Sequence, residues 1–418
     1  MYNILSLDGG GSWAVIQAEC LKDIYGPEAK GRQVLKDFDL VTANSGGSLV
    51  LAGLLMDLKL SKITTLFSNQ ETRRRIFKSA RNVKQVVGLP PAYEATAKRE
   101  GIKEVFAEVV GNPGADLELR TLQREIRDQI GKEVECLIIG FDYDKEREKF
   151  FRSRTDSAAD DPKRATEDEL AGRYTLLDAV DSSTNAPVLY FDGPAKVKVG
   201  DRRERYWDGA VSGFNNPCLA GLTEAVANGH RLSEIKLFSI GTASKILPHE
   251  RYFDTSEEEG RFFVPKKSSG FIRDATKMST SILAAPPSYS DYISWVMLNN
   301  SQDGNESPVI RLNPMVSPVY KEGQWTLPEG LKSESAKSGG LFSSKPQDLF
   351  ESLNNIDMDA VEQEEVNDIL KLAEEWLRDR VANEPIRADK YLKPADNNGL
   401  MGYSEYSKAK AKWIGLLK

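Results

Sequence analysis

The chain has 418 residues and a formal net charge of −7, and 28% of its residues are charged. This composition is typical of a globular protein, and the acidic balance argues against a general affinity for nucleic acid or anionic membranes. No stretch approaches the roughly 20 apolar residues of a membrane-spanning helix. Two histidines and three widely spaced cysteines form no metal-ligand or disulfide pattern. We therefore expect buried reduced thiols, no metal, no cofactor and, since the first strand begins without a signal-like segment, a cytoplasmic location.

The first predicted element is a short buried strand that ends in three glycines. Residues 2–7 form the strand, and Gly9, Gly10 and Gly11 lead into an apolar helix. Glycines in such a turn can direct their N–H groups towards an anion at the helix N-terminus. The anion could be a phosphate, as in sugar kinases and actin-like ATPases, or the oxyanion of an acyl-transfer reaction. At this point both chemistries remain open.

The second predicted strand presents a serine in a turn of small residues. The strand spans 40–43, and Ser45, Gly46 and Gly47 connect it to an apolar helix. A nucleophile elbow has this form, because strand and helix must approach closely around the serine. An ordinary helix start is the alternative interpretation of this stretch taken alone.

The later strands alternate with helices, which predicts a mainly parallel sheet covered on both faces. The last part of one strand leads into Asp208, Gly209 and Ala210, and Asn215, Asn216 and Pro217 follow. The remaining predicted strands span 135–141, 149–153, 205–207, 236–240 and 309–312.

Three motifs occur in a characteristic order: an Asp-Gly-Gly-Gly turn at 8–11, a serine elbow at 44–47 and Asp-Gly-Ala at 208–210. With three weaker segments, at 181–187, 235–242 and 309–314, they make the chain resemble the patatin-like phospholipases over about residues 1–315. Two positions depart from the family pattern. Trp13 stands where the family usually has arginine, and Ala43 stands where it usually has glycine.

The resemblance implies an α/β fold of three layers, α/β/α, with a mainly parallel central sheet and a C-terminal helical extension. It implies that Ser45 is the nucleophile and Asp208 its partner in a catalytic dyad. The turn Gly9, Gly10 and Gly11 would form the oxyanion hole, and the N–H of Gly46, which follows the nucleophile, could add a donor. Asp8 is interpreted as structural.

The resemblance further implies a lipid acyl hydrolase of the phospholipase A or lysophospholipase type. Its expected partners are a phospholipid or lysophospholipid, a transiently contacted membrane surface and, as in some bacterial members, an activating nucleotide signal or protein. No nucleic acid polymer is expected. Two basic clusters, at 73–84 and 196–205, could meet lipid phosphates or could be solvated surface.

Three alternatives remain. His230 or His249 could complete a Ser-Asp-His triad, because both follow Asp208 in the chain. The protein could be a catalytically dead scaffold that lost turnover through Trp13 and Ala43. The glycine turn could instead belong to a nucleotide-binding enzyme of the actin-like type.

The predicted organisation is a catalytic domain at 1–320, a flexible segment at 321–346, a helical pair at 347–383 and a C-terminal tail at 384–418. Residues 268–300 are rich in apolar side chains. They could form core or a wall for an acyl chain.

Overall fold

The structure is a computed structural model. It describes residues 1–79, 92–110, 116–154, 174–187, 190–199, 201–248, 260–263, 269–270, 286–299, 307–334, 348–386 and 401–417. His249 and residues 335–346 of the predicted flexible segment therefore lie outside the described residues.

The strands, in chain order, are β1 (Tyr2–Leu7), β2 (Leu40–Asn44), β3 (Glu135–Asp142), β4 (Arg147–Arg152), β5 (Ala195–Val199), β6 (Arg202–Asp208), β7 (Ile235–Ile240), β8 (Ser244–Lys245), β9 (Val309–Leu312), β10 (Met315–Val316), β11 (Val319–Lys321) and β12 (Gln324–Thr326).

The helices are α1 (Val15–Tyr25), α2 (Gly31–Leu35), α3 (Gly46–Leu55), α4 (Leu60–Ser68), α5 (Gln70–Ile76), α6 (Ala95–Val110), α7 (Leu119–Ile130), α8 (Leu176–Ser183), α9 (Cys218–Ala227), α10 (Pro286–Leu298), α11 (Leu349–Asn355), α12 (Gln363–Leu377) and α13 (Tyr406–Leu417).

The centre of the main sheet is parallel and buried on both faces. Its strands run in the order β3, β2, β1, β7, β9, and every neighbouring pair among them is parallel. Successive residues of β1 enter opposite cores: Ile4 packs with α9, whereas Leu5 packs with the layer that contains α1 and α3. Burial on both faces explains the nearly continuous apolar runs of these strands. The predicted α/β sandwich with a mainly parallel sheet is confirmed.

Strand β3 is the junction between the parallel and antiparallel parts of the sheet. Its residues 137–142 pair with β4 on one side. On the other side β2 pairs as far as Ile139, and β6 pairs antiparallel from Gly140 onward. The C-terminal ends of β2 and β6 therefore meet head to head beside β3. This junction brings together residues that are more than 160 positions apart in the sequence.

The C-terminal helices pack on the core. Helix α12 contacts α1, and Trp376 is fully buried. Trp413 of α13 is also fully buried, and its ring lies 4.6 Å from the ring of Phe238. The region predicted as a tail thus contains a helix that contributes to the core. Within the predicted flexible segment, the described residues include β12 and the fully buried Leu331.

Among the described residues, no helix combines the length and apolarity needed to cross a bilayer. Cys20, Cys136 and Cys218 are buried and free, as expected.

Candidate active site

Ser45 occupies a strained turn between β2 and α3. Its backbone has φ +48° and ψ −125°, a conformation that side-chain-bearing residues rarely adopt. The following glycines are required sterically, because a Cβ on Gly46 would lie 2.4 Å from the carbonyl oxygen of Gly11 and one on Gly47 would lie 2.5 Å from that of Leu7. The turn therefore has the geometry of a nucleophile elbow. Ala43 is fully buried in β2, and the methyl group is accommodated there.

Asp208 lies next to Ser45 because β6 ends where β2 ends. Asp208 pairs with Gly140, and Asn44 pairs with the preceding residue of β3. The Ser45 hydroxyl lies beside the Asp208 carboxyl, close enough to lower its pKa. Asn44 Nδ2 and the Ala210 N–H each donate to Asp208 Oδ1 over 2.9 Å. These two donors hold the carboxylate in one orientation beside Ser45.

The Asp208 carboxyl is 3% exposed, and burial raises its pKa above the ordinary range. The Ala210 N–H, the Ser45 hydroxyl, the Asn44 amide and the positive charge of Lys98 each lower the pKa and offset part of this effect. A raised pKa makes a carboxylate a stronger base. Asp208 is therefore better suited to accept a proton than an exposed carboxylate would be.

The glycine turn lies directly against the serine. A Cβ on Gly9 would come within 3.0 Å of Ser45 Cβ. The N–H of Gly9 donates to the Asn215 carbonyl oxygen over 2.7 Å. In the described part of the chain, the N–H groups of Gly10, Gly11 and Gly46 have no hydrogen-bond acceptor. Gly11 and Gly46 also line the cavity, whereas the donor of Gly9 is already occupied.

Residues 357–358, between α11 and α12, accept hydrogen bonds from the residues that follow the glycine turn. The Ser12 N–H donates to the carbonyl oxygen of Met358 over 2.9 Å. Trp13 Nε1 donates to the carbonyl oxygen of Asp357 over 3.0 Å, and Lys245 Nζ lies 4.8 Å from the Trp13 ring centre. Trp13 thus has a packing role in this chain at the position where the family usually has arginine.

The end of α8 supports both Ser45 and Asp208. Ser183 Oγ accepts the Ser45 N–H over 2.9 Å, and the Asn185 carbonyl oxygen accepts the Asp208 N–H over 3.0 Å. The fully buried Lys98 of α6 donates to the Asp181 carbonyl oxygen over 2.6 Å. Sequence reasoning missed Lys98. The segment 181–187 was recognised only as a weak family feature, and no pattern indicated that its backbone would support Asp208.

Ser45 opens into an apolar cavity of about 810 Å³, including the space at its mouth. Lys98, Thr184 and Asp359 contribute polar atoms to its lining. The apolar lining comes mainly from α4, α5 and α6 and includes Leu49, Leu66, Phe67, Ile76, Phe77, Ile102, Val105, Phe106 and Phe191.

For residues 268–300 the sequence allows two interpretations, a part of the core or a wall for an acyl chain. The described helix α10 packs against α9 on the other face of the sheet, where Leu298 is buried, and it does not line the cavity. For this helix the core interpretation is correct. Residues 271–285 lie outside the described residues.

Asp8 belongs to a buried ion cluster beneath the glycine turn. Arg311 Nη2 donates to Asp8 Oδ2 over 2.7 Å, and Arg311 Nε lies 3.0 Å from Asp291 Oδ2. Burial raises the pKa of both carboxyls, and the charge of Arg311 opposes that rise. The cluster ties β1 to β9 and α10, which is consistent with a structural role for Asp8.

His230 lies at the wrong end of the sheet for catalysis. Its ring stacks on Tyr2 with ring centres 3.8 Å apart. Tyr2 begins β1, whereas Ser45 follows the C-terminal end of the parallel β2. Five residues of strand separate these ends by roughly 17 Å. His230 is therefore no partner of Ser45 in this structure.

Comparisons with known proteins show a family similarity in the N-terminal half of the chain. The family model described as Patatin-like phospholipase matches residues 5–222. A cGAMP-activated phospholipase of Pseudomonas aeruginosa (strain BWHPSA011 / Pa011) is 26% identical over 226 residues, which cover 53% of this chain and 56% of that protein. The match thus spans little more than half of the relative's length.

Among solved structures, VipD from Legionella pneumophila covers 99% of this chain and 74% of its own, at 11% identity and a TM-score of 0.37. This similarity is too weak to support an argument.

The family match includes the glycine turn, the elbow and Asp208, and it covers more than half of the chain. The chain therefore belongs to the patatin-like phospholipase family.

Proposed function

We propose that the protein hydrolyses fatty-acyl esters of phospholipids or lysophospholipids with Ser45 as nucleophile and Asp208 as general base. The observation that carries this proposal is the proximity of Ser45 to the buried Asp208 carboxyl beside an apolar cavity. A serine hydroxyl needs an adjacent base to become an effective nucleophile. The apolar lining suits a fatty-acyl chain.

The chemistry proceeds in two steps. Ser45 Oγ attacks the ester carbonyl carbon while Asp208 accepts the hydroxyl proton, and the N–H groups of Gly10, Gly11 and Gly46 stabilise the oxyanion. Asp208 then returns the proton to the departing alcohol oxygen, which leaves an acyl-enzyme. A water molecule, deprotonated by Asp208, attacks this ester and releases the fatty acid. Because the Gly9 N–H is engaged by Asn215, we assign Gly9 to the shape of the turn and not to the oxyanion hole.

The expected acidic limit of activity follows from the burial of Asp208. The carboxyl must be ionised to act as base, so kcat/KM should fall about tenfold per pH unit below its pKa. Burial raises that pKa, so the midpoint of the fall should lie above the ordinary value of about 3.9. Lys98→Met removes a positive charge that lowers the Asp208 pKa, and the midpoint should therefore move to higher pH. A pH profile of hydrolysis measures both.

Lys103→Met is the matched control for Lys98→Met, because Lys103 lies on the same helix and is exposed. Its profile should coincide with that of the parent. A Lys98→Met midpoint at unchanged or lower pH would contradict the assignment of the acidic limb to Asp208.

The cavity should set the preference for acyl-chain length. Ile102 is fully buried and lies on the cavity-facing side of α6, one helical turn beyond Lys98. Ile102→Trp should fill this space and reduce turnover of long-chain esters about tenfold or more relative to a butyryl ester. Competition assays with esters of increasing chain length measure the ratio, with Ile102→Val as the control that should preserve the preference. An equal loss for all chain lengths would place the acyl chain elsewhere.

We also propose that the protein works in the cytoplasm, contacts membranes transiently and responds to an activator. The relative's description as cGAMP-activated supports a nucleotide signal as one class of activator.

Lipid analysis of cells that express the parent or Ser45→Ala tests the function as a whole. Accumulation of lysophospholipid or free fatty acid only with the parent is expected, and identical lipid profiles in the presence of active-site labelling would contradict the lipid assignment.

A catalytically dead scaffold is the second candidate, and it was suggested by the departures at Trp13 and Ala43. Both residues are accommodated in the structure without displacing Ser45 or Asp208. The nucleotide-binding alternative predicts that ATP raises the melting temperature. We expect no such shift, because the glycine turn lies against Ser45.

A further inference from the structure

The outward face of the β5–β6 hairpin carries two facing rows of positive charge. In the antiparallel register Lys196 lies opposite Arg205, and Lys198 lies opposite Arg203. All four side chains are exposed, whereas the alternate residues of β5 are buried. We call these four residues the basic face. Directly opposite residues point to the same side of a sheet, so the four charges share one surface.

Most of the positive charges of the basic face are not paired with an acidic side chain among the described residues. Arg205 pairs with Asp144. Lys196, Lys198 and Arg203 form no ion pair within the part of the chain that the structure describes. Like charges placed directly opposite each other destabilise a strand pair. A chain with a net charge of −7 thus concentrates unpaired positive charge at one place.

Aromatic side chains border the basic face at its inner end. Trp207 alternates with Arg203 and Arg205 along β6, so it lies on the same side and is half-buried. Tyr143 is 44% exposed, and the guanidinium of Arg205 lies 4.5 Å from its ring centre. Tryptophan and tyrosine beside lysine and arginine are typical of surfaces that meet the headgroup region of a bilayer.

The hairpin is continuous with the active site through both strands. β6 ends at Asp208, three residues or roughly 10 Å from Arg205. β5 follows Phe191, which lines the cavity. The hairpin extends away from the junction of β2 and β6, beyond the C-terminal end of β3. Because Arg203, Arg205 and Trp207 alternate with Tyr206 and Asp208 along β6, the basic face lies on the opposite side of the sheet from the Asp208 side chain, close to the same end of β6.

An edge strand often carries lysines that prevent pairing with other proteins. This explanation accounts for Lys196 and Lys198 on β5. It does not account for the second row on β6, because Arg203 and Arg205 lie on the strand that β5 already covers. The two facing rows match an extended anionic surface better than a single row of protective charges does.

We propose that the basic face, with Trp207 and Tyr143, is the surface by which the protein docks on membranes that contain anionic lipids. This inference rests on the proposed function, which requires the enzyme to collect its substrate from a bilayer. The lipid phosphates supply the negative charges that the facing rows lack, and the aromatic rings enter the interface. Docking holds the protein at the bilayer from which the substrate is collected.

The test measures vesicle binding by the full chain with Ser45→Ala, so that the lipids stay intact. Vesicles of phosphatidylcholine alone are compared with vesicles that also contain phosphatidylglycerol. Each lysine or arginine near an anionic membrane contributes about fivefold to the binding constant. Adding Lys196→Glu and Lys198→Glu should therefore weaken binding to the anionic vesicles about 25-fold or more. Salt should weaken binding of the parent in the same way.

Lys36→Glu with Lys332→Glu is the matched control, because both lysines are exposed and the change in net charge is the same. This control should bind the anionic vesicles nearly as well as the parent. In the basic-face variant each new carboxylate lies opposite an arginine, so its melting temperature should equal or exceed that of the parent. A loss of binding without a loss of stability separates docking from misfolding.

Equal loss in the control, unchanged binding in the basic-face variant, or binding to an anionic polymer such as heparin without binding to vesicles would each overturn the proposal. With an active Ser45, the basic-face variant should still hydrolyse a monomeric soluble ester at the parental rate. If vesicle binding behaves as expected but no ester is cleaved, the proposed function fails and the docking surface stands.

Discussion

Replacing Ser45 by alanine is expected to reduce ester hydrolysis by about 10⁴-fold or more, to the level of residual catalysis by binding alone. In the proposed mechanism Ser45, which occupies the strained turn between β2 and α3, supplies the attacking oxygen. Asp208→Asn should cause a loss of similar size, because an amide cannot accept the serine proton. The loss in the double variant should not exceed that of the single variants, since the two residues act as a unit.

The measurement is kcat/KM on a soluble ester for all three variants, with thermal melting to show that they fold. Ser48→Ala is the control, because Ser48 is buried in α3 and its hydroxyl donates to the Ser45 carbonyl oxygen over 2.6 Å. It should keep most of the activity. Substantial turnover by Asp208→Asn would show that another group serves as base, and the dyad would be wrong.

Replacing Arg311 by methionine is expected to lower the free energy of unfolding by about 3–5 kcal/mol. Arg311 is 5% exposed and contacts Asp8, Asp291 and Ser239 at 2.7 to 3.0 Å. Removing it leaves two buried carboxylates without their counter-charge. Because Asp8 begins the glycine turn, activity should fall together with stability. Urea denaturation monitored by fluorescence gives the change.

The sign of the pH dependence distinguishes this mechanism from simple loss of packing. Burial already raises the pKa of Asp8 and Asp291, and without Arg311 the two carboxyls should take up protons at still higher pH. The deficit of Arg311→Met should therefore shrink as the solution is acidified, and adding Asp8→Asn and Asp291→Asn should recover part of the stability. A deficit that is independent of pH and of these substitutions would exclude uncompensated charge as the cause.

The parallel centre of the fold was predictable because its strands are short apolar runs between helices. Predicted and observed bounds agree within one residue for β1, β2, β3, β7 and β9. The hairpin was predicted poorly. β5 was missed and only 205–207 of β6 was expected, because lysine and arginine occupy the alternate positions and mask the apolar pattern of a strand.

The serine turn and the late aspartate were recognisable because elbow and turn motifs are local in sequence. Their juxtaposition depends on the meeting of β2 and β6 beside β3, which is a property of topology. Lys98 could not have been found, because its role arises when α6 packs against α8. The occupied N–H of Gly9 likewise depends on Asn215, a distant residue.

The identity of the nucleophile is tested most directly by covalent labelling. The folded parent protein is treated with a fluorophosphonate, with and without anionic vesicles and candidate activators, and the modified peptide is identified by mass spectrometry. We expect a single adduct on Ser45, absent from Ser45→Ala and strongly reduced in Asp208→Asn. An adduct on another serine, or no adduct on Ser45 in a preparation that hydrolyses esters, would contradict the assignment of Ser45 as nucleophile.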